Sequence, residues 1–226
     1  MKKADGRTTA RRVAVVLLTA SAAAAAPAAA QVAVSGSALV SQVEHRVSAG
    51  RGVEQTSGTI FGGAATLYVA SRFEISVQGQ SGTLNADSSF ADDLDDAEGE
   101  VRVAVLAVPW LALEGGVSAR SFATAFARQR WVAMRLGAEA RLAFVGGAIQ
   151  GRVRAELLPS VSVTGLEAPN RAVAAAAGLE WRSGPLTAGL QYSLERYDFP
   201  LVGALKRHEQ LSVLTAKLGL GLGSRE

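Results

Sequence analysis

The 226-residue sequence has no cysteine, which excludes a disulfide framework and any Cys-ligated zinc or iron–sulfur site. Aromatic residues make up only 6% of the chain, whereas glycine occurs 24 times. An ordinary sandwich core depends on large side chains, so this composition is unusual for one. With only two histidines and two methionines present, the sequence predicts no cofactor and no metal centre.

The excess of basic charge is confined to the N-terminus. The whole chain has 23 basic and 20 acidic residues and a pI of about 9.6. Residues 1–30 hold five basic residues and one acidic residue, so the remaining chain has 18 basic and 19 acidic residues. Nucleic-acid binding needs a concentrated basic face, and a nucleic-acid partner is therefore not expected.

The N-terminal 30 residues resemble a secretory signal peptide. A basic start is followed by the apolar run Val13–Ala26 and by small residues, the order typical of an export signal. The predicted cut follows Ala30, with Ala28 as the second small residue and Gln31 as the first residue retained. An N-terminal anchor helix is the alternative, but the run is shorter than the ~20 residues that span a bilayer.

The rest of the chain alternates apolar and polar residues with a period of two. In Phe73–Gly82, apolar residues alternate with Glu74, Ser76, Gln78 and Gln80, which predicts a strand with one apolar face. Ten strands follow from this pattern, although eight remain possible. Residues 172–182 could also be helical, because they contain an alanine run, and a parity switch near Ser41 predicts a bulge. The predicted strands are 33–47, 59–71, 73–83, 100–108, 111–122, 131–143, 148–158, 172–182, 186–197 and 209–222.

The predicted connections alternate in length. Short turns such as 109–110 and 183–185 alternate with long loops such as 48–58, 84–99 and 159–171. This alternation and the strand length are typical of an all-β, closed, antiparallel up-and-down transmembrane β-barrel, with short periplasmic turns and longer external loops. A soluble barrel with the inverse orientation is the alternative. The small apolar residues favour the membrane form, because they would underfill a soluble core.

On this pattern, residues 31–226 resemble the small bacterial outer-membrane β-barrel proteins, the group of the outer-membrane protein A membrane domain and the opacity-type proteins. The resemblance implies a location in the cell outer membrane and contact with outer-membrane lipid, lipopolysaccharide and the barrel-assembly machinery. Such proteins commonly end in an aromatic residue, whereas this sequence ends in Gly223–Glu226. The resemblance describes the fold and names no external partner.

The polar face carries charges of both signs. In a narrow barrel such groups must pair, because an unpaired buried charge is costly. We therefore predict a largely filled lumen with an ion-pair network, and a narrow passive porin-like channel is the alternative. The predicted members are Glu74, Arg102, Glu114, Arg120, Arg135, Glu139, Arg141, Arg152, Arg154, Glu156, Glu180, Arg182, Glu195 and Lys217.

An acidic segment lies within the predicted loop 84–99. Its carboxylates, Asp92, Asp93, Asp95, Asp96 and Glu98, are the ligand type that hard cations prefer. The spacing lacks the EF-hand order, so a weak divalent-ion site or an ion bridge to lipopolysaccharide competes with a plain solvated loop.

The sequence predicts a non-enzymatic barrel with a structural or surface-interaction role. His45 and His208 fall near neighbouring strand ends, but no G-x-S-x-G elbow is present. A lipid hydrolase at the rim is therefore a minor alternative, and a secreted soluble ligand-binding barrel is a further one.

Overall fold

The computed structural model describes residues 32–50, 52–70, 72–87, 92–124, 126–201 and 205–222. They form a closed barrel of ten antiparallel strands in which each strand pairs with its sequence neighbours and β1 pairs with β10. The all-β, up-and-down barrel prediction is confirmed. The strands are β1 (Val32–Ala49), β2 (Gly52–Val69), β3 (Phe73–Ala86), β4 (Leu94–Val108), β5 (Leu111–Ala123), β6 (Arg128–Phe144), β7 (Ile149–Val163), β8 (Arg171–Ser183), β9 (Leu186–Asp198) and β10 (Arg207–Leu222).

The predicted signal peptide and its cleavage residues Ala28, Ala30 and Gln31 lie outside the described residues. Within the described part of the chain, no helix has the length and apolar character needed to cross a membrane.

The strands extend further than the sequence pattern predicts at one end of the barrel. This end, called the loop end, holds the connections 50–51, 87–93, 124–127, 164–170 and 199–206. The opposite turn end holds the connections 70–72, 109–110, 145–148 and 184–185 together with the outer ends of β1 and β10. The predicted loop 48–58 is wrong, because β1 extends to Ala49 and β2 begins at Gly52. Most of the predicted loop 84–99 is likewise strand, since β4 begins at Leu94.

The predicted bulge near Ser41 is also wrong. The pairing of β1 with β10 is unbroken from Val34 opposite Leu222 to Ala49 opposite Arg207. A bulge does occur in β7, where Met134 pairs with Ser160 but Leu136 pairs with Leu157. Pro159 lies in this interval, and proline suits a bulge because it has no N–H to donate to the ladder. Residues 171–183 form β8, so the helical alternative for this segment is wrong.

The outward face of the barrel changes character along the strands. At the turn end it forms an apolar belt with no charged side chain among the described residues, and Phe61 at its upper edge is 61% exposed. Towards the loop end the same strands face outward with polar residues such as Gln42, Glu44 and Arg46 on β1. The belt covers residues 32–40, 61–69, 73–79, 99–108, 111–119, 132–144, 149–157, 173–183, 186–194 and 214–222.

The belt has the height of a bilayer core. Most of its segments are about nine residues long. At roughly 3.3 Å of rise per residue and a tilt of about 40–45°, nine residues cover roughly 20–25 Å. That matches the apolar band of about 25 Å on transmembrane barrels. The strands continue beyond the belt at the loop end, so that half of the barrel projects past it.

Candidate functional site: a lumen in two layers

A charged layer lines the lumen behind the apolar belt. The structure places all fourteen residues of the predicted lumen set on the inner face and joins them through ion pairs. They come from β3 to β10, because alternate residues of a strand point to the same side of the sheet. Three acidic residues of β4 that the lumen prediction did not contain, Asp96, Glu98 and Glu100, join the same network.

Arginines at the centre of this network each contact two or more carboxylates. Arg135 places Nη1 2.7 Å from Glu195 Oε1 and Nη2 2.8 Å from Glu156 Oε2. Arg102 lies 3.1 Å from the same Glu156 and 3.4 Å from Glu114. These multiple contacts offset the cost of removing each charge from water, which a single pair rarely does. The network therefore holds strands on opposite sides of the lumen together.

The network continues to the turn end of the barrel. Glu139 accepts from Arg141 Nε at 2.7 Å and lies 3.4 Å from Arg152. Arg152 in turn approaches Glu180, which also contacts Arg182 at 2.6 Å and Lys217. The ammonium of Lys217 and the guanidinium of Arg182 are about a third exposed, whereas the central carboxylates are nearly inaccessible. Solvent therefore reaches the charged layer from the turn end.

The predicted divalent-ion loop is not a loop in the structure. Asp95, Asp96 and Glu98 lie on β4, where their side chains alternate between the two faces. Asp95 faces outward and accepts from Thr83 Oγ1 at 3.0 Å, whereas Glu98 pairs with Arg120 inside the lumen. Asp93 accepts from the backbone N–H of Ala86, and Asp92 lies in the adjoining connection. Strand alternation thus separates these carboxylates, and the described residues contain no acidic or histidine cluster arranged to hold a metal ion.

An apolar layer packs inside the barrel at the loop end, above the charged layer. Trp131 is its centre and makes edge contacts with Phe122, Tyr197 and Phe199. This layer explains the parity switch in β1, because Val43 faces inward here whereas Val40 faces outward in the belt. Other buried members are Ile60, Leu84, Ala133, Leu158, Val161, Val163, Ala172, Ala174, Leu211 and Val213.

Asp96 lies at the boundary of the two layers, above the belt. It is 1% exposed, neither carboxylate oxygen has a hydrogen-bond partner, and Arg120 Nε is 3.8 Å away. Burial raises the pKa of Asp96 to about 6, although the nearby Arg120 guanidinium lowers it in part. Asp96 is therefore a buried carboxyl whose ionisation is costly.

A cavity of about 220 Å³ remains in the lumen. Charged side chains, most of them from β4 to β7, line the cavity together with small residues that include Ser35, Ser37, Ala64 and Ser193. The Nε atoms of Arg102, Arg120, Arg152 and Arg154 have no hydrogen-bond partner in the protein. A polar cavity of this size has room for several waters that can accept from those donors.

The two histidines face different environments. His45 points into the lumen, where Nε2 lies 3.0 Å from Glu209 Oε2 and the ring stacks on Phe122 with centroids 4.6 Å apart. His208 lies on the outward face, with Nδ1 2.5 Å from Asp198 Oδ1. The structure therefore does not bring the two histidines into one site.

No protein-family model matches the chain, and no curated protein matches it. Solved structures with the same kind of fold include the outer membrane protease OmpT from Escherichia coli, with 9% identity, a TM-score of 0.57, and 85% of this chain and 97% of that chain covered. The β domain of the Bordetella autotransporter BrkA is 10% identical, with a TM-score of 0.46 and coverage of 82% and 98%. Neisserial surface protein A is 8% identical, with a TM-score of 0.38 and coverage of 82% and 96%. The fold is that of the outer-membrane β-barrels, as the sequence resemblance predicts.

Proposed function

We propose that this protein is an integral outer-membrane barrel with a closed lumen. On this proposal, the loop-end half of the barrel stands outside the bilayer and presents a rigid surface. The observation that carries this proposal is the continuous apolar belt, whose outward residues would be costly to expose to water and match a bilayer core in height. A secreted soluble barrel does not fit such a belt, because large exposed apolar surfaces mark membrane or partner contacts.

The location can be tested by cell fractionation. We expect the protein in the outer-membrane fraction, where detergent is needed to release it, with a folded form that migrates differently from the boiled form in gels. Recovery of the protein from the periplasm without detergent would contradict the proposal.

A closed lumen would favour a structural role over transport. The apolar layer around Trp131 lies across the lumen above the charged layer, and water-filled pores are typical of much wider barrels. We expect no steady conductance when the purified protein is inserted in planar bilayers. A stable open state in the nanosiemens range would contradict the closed lumen.

A narrow channel is the second candidate function, because the cavity of about 220 Å³ already occupies part of the charged layer. On this hypothesis, the apolar layer is the barrier to ion flow. Trp131→Ala would remove the central ring of that layer and produce conductance that the parent protein lacks. Phe61→Ala, at an exposed position of the belt, is the matched control and should leave conductance unchanged.

Contact with lipid phosphates is a further part of the proposal. Above the belt, five exposed arginines face outward, and guanidinium groups bind phosphate in a bidentate manner. They are Arg46, Arg128, Arg130, Arg171 and Arg196. Arg130, Arg171 and Arg196 lie two residues beyond the belt, roughly 5 Å above it, which is near the level that the phosphates of outer-leaflet lipopolysaccharide would occupy. Assembly by the barrel-assembly machinery remains an expectation from the fold resemblance alone.

A further inference from the structure

Three polar residues stand in one row across the outer face at the loop end. His208 on β10 pairs directly with Asp198 on β9 and with Ser48 on β1. Directly opposed residues of an antiparallel pair point to the same face with Cβ atoms about 4.5–5.5 Å apart. The order across the strands is therefore acid, histidine and serine, with the histidine in the middle.

The contact between His208 and Asp198 orients the imidazole. Nδ1 lies 2.5 Å from Asp198 Oδ1, and Arg196 Nε donates to the same oxygen at 3.2 Å. Partial burial raises the pKa of Asp198, but the hydrogen bonds from His208 and Arg196 outweigh it and bring the pKa below its usual range. A charged Asp198 favours the proton on Nδ1, which leaves Nε2 as the acceptor on the ring.

A shallow depression of about 230 Å³ surrounds Ser48 and His208. Arg46 and Gln210 also line it, and these two residues pair directly across β1 and β10. The Arg46 guanidinium supplies hydrogen-bond donors beside Ser48, and the Gln210 amide next to it also donates to Ser212 Oγ at 3.4 Å. Donors placed where negative charge develops are the usual stabilising element of acyl transfer.

We propose that Ser48, His208 and Asp198 form a hydrolytic triad for carboxylic esters, with Ser48 as the nucleophile and His208 as the general base. This activity goes beyond the proposed role as a closed membrane barrel, and only the substrate class inferred below rests on the barrel lying in a bilayer. The same three residue types in this order perform acyl transfer on several unrelated folds, where they are recognised by geometry and not by sequence position.

The reaction follows from the arrangement. Ser48 Oγ attacks the ester carbonyl carbon while its proton passes to His208 Nε2, and an oxyanion forms beside Arg46 and Gln210. The carbon–oxygen ester bond then breaks, and the alcohol leaves with the proton from Nε2. Water next attacks the acyl-serine, His208 takes its proton and returns it to Ser48 Oγ, and the carboxylic acid is released. The balance is ester plus water to acid plus alcohol.

The height of the row above the belt selects the substrate class. His208 lies six residues beyond Leu214, the last belt residue of β10. At about 3.3 Å per residue and a tilt of about 40°, this is roughly 15 Å. The glycerol-linked acyl esters of a bilayer lie too deep to reach this site. The substrate is therefore a water-exposed ester, and Arg46 and Arg196 favour one that carries a negative charge.

The test uses the purified full chain in detergent. With p-nitrophenyl butyrate as the probe, we expect Ser48-dependent hydrolysis and covalent labelling of Ser48 by a fluorophosphonate, located by mass spectrometry. Ser48→Ala should abolish both signals, and Asp198→Asn should lower the rate by about 10²–10⁴-fold. Ser162→Ala, an exposed outward serine of β7, is the matched control and should keep the parent rate.

The outcomes distinguish a catalytic triad from a loop end that has no hydrolytic activity. Each variant is checked for the heat-dependent gel shift of a folded barrel, so that lost activity is not lost folding. Hydrolysis that survives Ser48→Ala, or the absence of any hydrolysis and label in the folded parent, would overturn the proposal. Vesicles of phosphatidylcholine should release no fatty acid, and Ser48-dependent release would overturn the assigned substrate class.

Discussion

Within the apolar belt the barrel carries apolar side chains outward and keeps its charged side chains in the lumen. Beyond Val40 and Leu214 the outward face is polar and an apolar cluster packs inside, where the His45–Glu209 pair is also buried. In the belt half, Leu218 and Leu220 face outward while Lys217 faces the lumen. In the projecting half of the same strand, Leu211 is buried inside and Ser212 faces outward. Each half matches a different solvent, because charge is costly in lipid and apolar surface is costly in water.

The comparison shows that a barrel strand can invert its pattern without changing its register. β1 passes from one half to the other with unbroken pairing to both neighbours. Backbone hydrogen bonds do not depend on which face is apolar, so the ladder continues while the side chains adapt to the surroundings. The charged layer and the apolar layer are therefore stacked inside one continuous sheet.

The largest effect is expected from breaking the charged layer. Arg135→Leu leaves the buried carboxylates of Glu195 and Glu156 without their shared partner, and removal of one member of a buried pair costs about 3–5 kcal/mol. The measurement is the free energy of unfolding in urea with vesicle-embedded protein. Arg130→Leu, at an exposed outward position of the projecting half, is the control and should cost less than about 1 kcal/mol. Equal losses in both variants would show that the network does not stabilise the fold.

The free-energy cost of placing a charge on the outer face should differ between the belt half and the projecting half. Leu218→Arg introduces a cation near the middle of the belt, where the cost in a barrel is about 2–4 kcal/mol. Ser212→Arg puts the same residue on the outward face of the same strand above the belt, where the cost should be about 0–1 kcal/mol. The readout is the folded fraction in vesicles along a urea titration. Similar costs at both positions would place the membrane boundary elsewhere.

The stability of the folded protein should depend on pH through Asp96, which lies at the boundary between the charged layer and the apolar layer. Its folded pKa of about 6 lies above the usual aspartate value of 3.8, so the folded state binds the proton more tightly than the unfolded state. Stability linked to this proton is present below pH 4 and is lost as the pH rises through 6. Asp96→Asn should therefore stabilise the protein at pH 8 by up to about 3 kcal/mol and have little effect at pH 4.

Asp95→Asn is the matched control for this pH effect, because Asp95 faces outward on the same strand. Its unfolding midpoint should keep the pH dependence of the parent. If Asp96→Asn also left that dependence unchanged between pH 4 and pH 8, the buried carboxyl would not be the titrating group.

Much of the belt half could be predicted from the sequence. Residues such as Phe73, Ile75 and Val77 alternate strictly with polar ones, and this alternation indicates a strand that separates lipid from lumen. The projecting half could not be predicted in the same way, because Val43 and Ile60 have the opposite parity. The sequence pattern predicts a bulge near Val43 and begins the second strand only at residue 59, since a period-two pattern that changes faces resembles an interruption.

The candidate sites also differ in how much of them could be predicted from the sequence. The lumen charges follow from alternation within each strand, but their partners do not, because Arg135 and Glu195 lie 60 residues apart and meet only across the lumen. The acidic residues of β4 look like one cluster in the sequence, and strand geometry separates them onto two faces. Ser48 and His208 carry no shared motif, since 160 residues separate them and only barrel closure makes β1 and β10 neighbours.

The sequence by itself determined the strand period, the approximate strand number and the charge of the inner face, because these depend on residues two apart in the chain. Only the tertiary structure decided where the apolar belt ends, which charges pair, and that an acid, a histidine and a serine stand in one row on the rim. Those features depend on strand register and barrel closure, which join positions that are distant in sequence and leave no local pattern.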